Sequence, residues 1–198
     1  MTAAHRKQLL LIGVGLALSI GVGIPIGLIM GYFRRIDAAF DPLLNFLNAS
    51  PRIALAPLFV LWFGIGLESK VAIVVFSAII PIIVSARTGV ATIDRDLLSM
   101  AKSWNASTLY TIRTVVLPGS VPSMAAGIRI GVGSALHGVV LAEFIAANVG
   151  VGFRINQSSN TFDTSLMFAG VILISALGVL VTELAGLAEK HFSRWRVS

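Results

Sequence analysis

Residues Leu9 to Phe33 read LLLIGVGLALSIGVGIPIGLIMGYF, 25 positions without a charge, between His5, Arg6 and Lys7 on one side and Arg34 and Arg35 on the other. As a helix this stretch runs about 37 Å, more than the roughly 30 Å hydrocarbon core of a bilayer. It is too long for a signal-peptide core, no small-residue cleavage pattern stands out, and the arginine pair follows it as a stop-transfer signal would. The expectation is a retained spanning helix. Gly23, Gly27 and Gly31 recur every fourth residue, share one helix face, and let another helix approach closely.

Working outward, four more apolar runs follow, at Ile53 to Leu67, Val71 to Val90, Val121 to Val149 and Leu166 to Leu187. The first, fourth and fifth runs are long enough to span. The second is short and holds Pro57, which predicts a kinked, tilted or partly immersed segment; the third holds Pro81, tolerable within a bundle. The fold class expected is an all-α polytopic membrane bundle of about five helices, organised as a single domain over residues 1–198. The whole-chain composition agrees. Of the 198 residues 56% are hydrophobic and 12% charged, with a mean hydropathy of +0.90. A soluble domain carries about 25% charged residues, so a water-soluble enzyme, a coiled coil and a disordered chain are all excluded.

The net charge of +6 does not point to nucleic acid, because the basic residues sit between apolar runs, where topology is set. With the polar stretch Asp94 to Pro118 inside, ten basic residues face the cytoplasm: Arg34, Arg35, Arg52, Arg87, Arg95, Lys102, Arg113, Lys190, Arg194 and Arg196. Arg6, Lys7, Lys70 and Arg154 fall outside, so the basic start conflicts with the rule while the remainder obeys it. Within the inner stretch, Leu97, Ala101, Trp104, Thr108 and Ile112 follow helical spacing, which predicts an amphipathic helix pair lying on the membrane or against a partner.

Catalytic motifs are absent. Gly64 to Val71 misses the phosphate-loop pattern at Ser69 and Val71, so the chain is not expected to bind ATP itself. No cysteine is present, and His5, His137 and His191 lie far apart without partners at ligand spacing, so no metal site is expected. Three ionisable residues fall in the fourth apolar run, namely Arg129, His137 and Glu143. Charge in lipid costs at least about 2.5 kcal/mol on insertion scales, so such groups face a bundle interior, a cavity or each other. Arg129 and Glu143 lie 14 positions apart, about 21 Å along one stripe, and cannot pair directly. They read either as the lining of a solute path or as partners of neighbouring helices.

Leu97-Leu98-Ser99-Met100-Ala101-Lys102-Ser103-Trp104-Asn105-Ala106-Ser107, followed by Val115-Val116-Leu117-Pro118, resembles the EAA loop of binding-protein-dependent ABC importer permeases. That pattern is EAA, three residues, G, nine residues, then I-x-LP. Ala101 matches the second alanine and Leu117-Pro118 the closing LP, while Ser99, Met100 and Asn105 replace the glutamate, the first alanine and the glycine. Gly23-Ile24-Pro25-Ile26-Gly27, Pro51 to Gly66, Gly127-Ile128-Arg129-Ile130, Val140 to Phe144 and Gly150-Val151-Gly152-Phe153 are similar, in order, to segments of the sulfonate, nitrate and taurine subgroup. Members usually carry a further N-terminal helix, so the chain looks short at its start.

The resemblance implies a non-enzymatic subunit of a bacterial inner membrane, paired with a second permease copy around a central path. ATP is then bound by separate cytoplasmic ATPase subunits, and solute is delivered by an external binding protein. Leu97, Leu98, Ser99, Ala101, Trp104, Asn105, Ala106, Leu117 and Pro118 are the residues it implies for coupling, with Leu97, Leu98, Ala101 and Trp104 forming the knob that enters the ATPase. The subgroup implies a small anion or an organic sulfur or nitrogen compound as solute. The alternatives are a stand-alone channel or secondary transporter, disfavoured by the lack of an internal repeat, and a membrane enzyme built on Glu143 and His137.

Overall fold

The computed structural model describes residues 3–147 and 149–193, with side chains apart from those of residues 3–9, 52, 53, 146, 188 and 190–193. Its elements are α1 (Ala3–Tyr32), α2 (Arg34–Ala49), α3 (Arg52–Phe63), α4 (Leu67–Ala91), α5 (Arg95–Ser103) and α6 (Thr108–Thr111). A π-helical turn (Ile112–Val116), α7 (Leu117–Ala146), α8 (Val151–Asn160) and α9 (Thr164–Ser193) complete the described residues. Among the described residues four stretches are long and apolar enough to cross a membrane, at Leu10–Tyr32, Leu67–Ala91, Thr108–Ile145 and Thr164–Leu187.

The glycine face of α1 does what its spacing predicts. Gly15 lies over Val74, Gly23 over Ile79 and Ile82, Gly27 over Ile83 and Ala86, and Gly31 over Val90. Ser19 fills the missing step of that four-residue repeat; fully buried, it donates to the carbonyls of Gly15 at 2.7 Å and Val75 at 3.3 Å. Small residues let the two backbones touch, the main source of helix affinity where lipid is as apolar as the side chains.

Both sets of numbers rise together, so α1 and α4 are parallel. The chain between them must therefore return across the membrane. At 12 residues α3 is about 18 Å long and cannot do so alone. It is α2 and α3 together, bent by 104° at their junction, that make the return and supply the fifth crossing. This differs from the sequence reading, which left Arg34 to Arg52 outside the spans.

The charges of α2 are neutralised by α4. Arg87 forks onto Asp37 at 2.6 and 3.0 Å and reaches Asp41 at 2.5 Å, while Asn45 donates to the other Asp41 oxygen at 2.8 Å. A planar guanidinium suits this two-pronged geometry. Beside it Leu44 packs with Met30 and Ile83, joining α2 to both α1 and α4.

The centre of the bundle is α4. Its second face meets α7 in antiparallel fashion, with Gly89 against Ser120 and Ser123, Gly131 against Ile82, and Gly138 against Ser77. Helix α9 runs antiparallel to α7, with Gly133 at Thr182 and Gly186 at Arg129. One end of the bundle thus holds Arg34, Arg35, Arg87, Arg95, Lys102 and Arg113, and the opposite end holds Lys70 and Arg154. The positive-inside rule makes the first end cytoplasmic. Arg194 and Arg196 lie outside the described residues, as do the side chains of His5, Arg6, Lys7, Arg52, Lys190 and His191.

The π-helical turn has a local cause. Pro118 has no N–H, and its ring would strike the carbonyl of Thr114 in a regular helix. The chain widens instead, and the Leu117 N–H donates to the carbonyl of Ile112, five residues back.

Candidate functional site

At the cytoplasmic end α5 stands between α4 and the π-helical turn. Its start is fixed by Asp94, whose carboxylate accepts from the Asp96 N–H at 2.9 Å. Asp96 in the first turn and Lys102 in the last complement the helix dipole. Its end is fixed by two backbone bonds, Ala106 N–H to the Ala101 carbonyl and Asn105 N–H to the Lys102 carbonyl, both at 3.0 Å. This six-to-one and five-to-two pattern needs a left-handed residue at its centre, and Asn105 has φ 50°. Asparagine is the side chain that best tolerates that conformation after glycine, so the replacement of glycine here preserves the turn. Asn105→Gly is therefore expected to leave the melting temperature unchanged or slightly raised, whereas Asn105→Val costs about 1–2 kcal/mol. Thermal unfolding of the purified protein measures both.

The structure divides the residues that the sequence placed on one docking face. Leu98 leans inward against the buried cluster of Leu28, Ala86, Val90, Val116 and Met124, and Ala101 is only 8% exposed. Leu97, Met100 and Trp104 point outward instead, Trp104 with 80% of its surface open. The outward set follows i, i+3, i+7, so it is Met100 and not Ala101 that shares the exposed apolar face with Leu97 and Trp104. Beyond the turn, exposed Leu109 and Tyr110 add to the apolar surface. Ser99, Asn105, Leu117 and Pro118 are also exposed, and Ala106 is half-buried. A helix braced from behind and apolar in front is suited to fill a partner's groove.

The three ionisable residues of the fourth run all lie on α7, in three separate settings. Arg129 reaches two carboxylates of α9, Glu183 at 3.2 Å and Glu189 at 3.4 Å, beside a cavity of about 320 Å³ lined by Ala126, Gly133 and Thr182. His137 is exposed, on the same open face as Ile130 and Phe144 at seven-residue steps. Glu143 is 6% exposed and accepts from the Gly152 N–H at 2.8 Å, at the start of α8. The two glycines of Gly150-Val151-Gly152 make room for it. A Cβ at Gly152 would stand 2.7 Å from the Val140 carbonyl and 2.9 Å from the Glu143 Cβ, and Gly150 has φ 131°.

Sequence reasoning missed Met100, Glu183, Glu189 and the pairing of Asp37 and Asp41 with Arg87. One signal was present: Asp37 and Asp41 stand four residues apart on one helix face, the spacing that presents both carboxylates to a single cation.

Among the described residues the fold is a bundle of five crossings with a short amphipathic helix braced at its cytoplasmic end. Residues 23–194 match the family described as "Binding-protein-dependent transport system inner membrane component", and the chain belongs to that family. It is 32% identical over 185 residues to a permease named for aliphatic sulfonates, SsuC of Bacillus subtilis (strain 168), covering 93% of this chain and 67% of that one. It is 35% identical over 188 residues to the formylaminopyrimidine transport permease ThiX of Halalkalibacterium halodurans, covering 95% and 75%. A chain of the inward-facing MetNI methionine ABC transporter superposes with a TM-score of 0.78 at 16% identity, over 97% of this chain and 99% of the other, and shares the fold.

The protein is accordingly an inner-membrane, multi-pass permease subunit. ATP hydrolysis resides in its ATPase partner, and an external substrate-binding protein serves it. The channel, secondary-transporter and membrane-enzyme readings fall with the family.

Proposed function

We propose that this permease imports a small organic sulfur or nitrogen compound, or a small anion, and that α5 delivers the mechanical stroke of the ATPase. The observation that carries the reading is the outward set Leu97, Met100 and Trp104 on a helix fixed at both ends and braced by Leu98. A rigid knob transmits displacement; a loose one would absorb it. The SsuC and ThiX names suggest the solute range, an aliphatic sulfonate or a pyrimidine-like compound.

Two copies enclose the path in this reading. One copy leaves long apolar faces open on α7 and α9, including Ile130, Phe144, Ile172, Val179 and Leu184. His137 lies on the α7 face, where a polar group is accommodated by a water-filled path and not by lipid. Arg129, already held by two carboxylates, supports the α7–α9 contact, and Glu143 supports α8 at the outer mouth.

Trp104→Glu tests the coupling. Desolvating a carboxylate without a partner costs several kcal/mol, so ATPase copurification is expected to fall more than tenfold while the permease folds and inserts normally. Normal copurification, with ATP hydrolysis in proteoliposomes still responding to the binding protein, would remove α5 from the coupling role. Ala101→Glu is the wrong probe, because it places the charge inside the permease.

A further inference from the structure

At the outer end, α8 passes into α9 through the turn Asn160 to Thr164. The Asp163 N–H donates to the Ser158 carbonyl at 2.9 Å, and the Phe162 N–H to the Ser159 carbonyl at 3.3 Å. This is the same helix ending as after α5, and it forces the central residue, Phe162, to φ 56°. The next residue starts α9 at once: the Asp163 carboxylate accepts from the Leu166 N–H at 3.0 Å, and its carbonyl from the Met167 N–H at 3.1 Å. Phe162 is thus clamped between one helix end and the next helix start, and its backbone cannot relax without releasing one of them.

A bulky aromatic residue in the left-handed region is a genuine outlier. After α5 the same position holds Asn105, which suits it. Burial within the chain does not compensate the strain at Phe162, whose surface is 88% exposed. Nor does the turn resemble a lipid-facing one. Its chain neighbours Ser159, Asn160, Thr161, Asp163, Thr164 and Ser165 are all polar and exposed, and the aromatics that favour the lipid headgroup region are Trp and Tyr. Strained residues persist where their surroundings over-determine them, and they concentrate at sites that bind.

We propose that Phe162 is the aromatic anchor by which the external solute-binding protein docks on this permease, its ring entering an apolar pocket of that partner. The inference rests on the reading of the chain as the permease of a binding-protein-dependent importer. Anchors of this kind are large, rigid and isolated among polar neighbours, and they carry much of the energy of an interface. A ring on a locked backbone also loses little freedom on docking.

Photo-crosslinking in cells that express the whole transporter tests it. With p-benzoylphenylalanine in place of Phe162, the adduct identified by mass spectrometry is expected to be the external binding protein. With the crosslinker at Thr161 instead, Phe162→Gly is expected to lower that adduct at least tenfold. The purified Phe162→Gly permease should melt at the wild-type temperature or above, because glycine relieves the strain, so lost docking cannot be put down to misfolding. An adduct to lipid or to a second permease copy, or an undiminished yield in Phe162→Gly, overturns the anchor. If Ile65, exposed on the turn before α4, captures the binding protein while Phe162 does not, the anchor alone is wrong. If neither position captures it, the binding protein docks elsewhere on the outer face and the anchor is overturned.

Discussion

Gly27→Leu is expected to prevent α1 from docking on α4 and to abolish the folded permease. A Cβ at Gly27 would lie 2.5 Å from the carbonyl oxygen of Ile83, 2.6 Å from the Ala86 Cβ and 3.1 Å from the Arg87 N. Two of those atoms are backbone and cannot rotate aside. Overpacking a core typically costs about 1–3 kcal/mol, and a clash with a neighbouring helix backbone belongs at or above the top of that range. The helices would have to separate, taking with them the contacts of Gly23 and Gly31 on the same face. Gly13 and Gly21 are the controls, because a Cβ at either meets nothing within 4 Å. Leucine there should leave the protein monodisperse on detergent gel filtration, with unchanged melting. A Gly27→Leu protein melting within a degree or two of wild type would refute close backbone contact as the basis of the α1–α4 pair.

The second large effect is expected at Glu143. Alanine there removes the acceptor of the Gly152 N–H and the negative charge at the positive end of α8. A hydrogen bond to a charged group contributes about 1.5–3 kcal/mol, and the lost side-chain volume adds to that cost. Glutamine keeps the shape and one acceptor, so it should retain roughly half of the stability. Hydrogen exchange locates the effect. Peptides covering residues 150–160 should exchange much faster in Glu143→Ala, while those of α4 stay protected. Equal protection of α8 in the variant and the wild type would show that the carboxylate does not hold this helix. The structure therefore changes what a transport assay of Glu143→Ala would report, since loss of α8 would come before any loss of solute contact.

The apolar runs and the glycine face were readable because each depends on spacing within a single helix. The pairing of α1 with α4 and the role of α2 were not. Asp37 and Asp41 look like solvated charges until Arg87, some 50 positions later, is placed beside them. Glu183 and Glu189 reach Arg129 from 54 and 60 positions away, and no local pattern announces this. Across α5 and its C-cap Trp104, both 97/101/104 and 97/100/104 satisfy helical spacing over eight residues. The choice between them is made by the core cluster that Leu98 joins.

The parallel pairing of α1 and α4 has a consequence for synthesis. Val74 follows its neighbour Gly15 by 59 positions, so at roughly 5–20 residues per second the first helix waits roughly 3–12 s for its partner to be made. During that interval its small-residue stripe is uncovered, and the same stripe on another nascent chain is a competing partner. The broken second crossing is not pinned in the interval either, because Arg87 emerges later still. Assembly must therefore run backward along the chain, with the fourth helix gathering the first and the second after all three have left the ribosome.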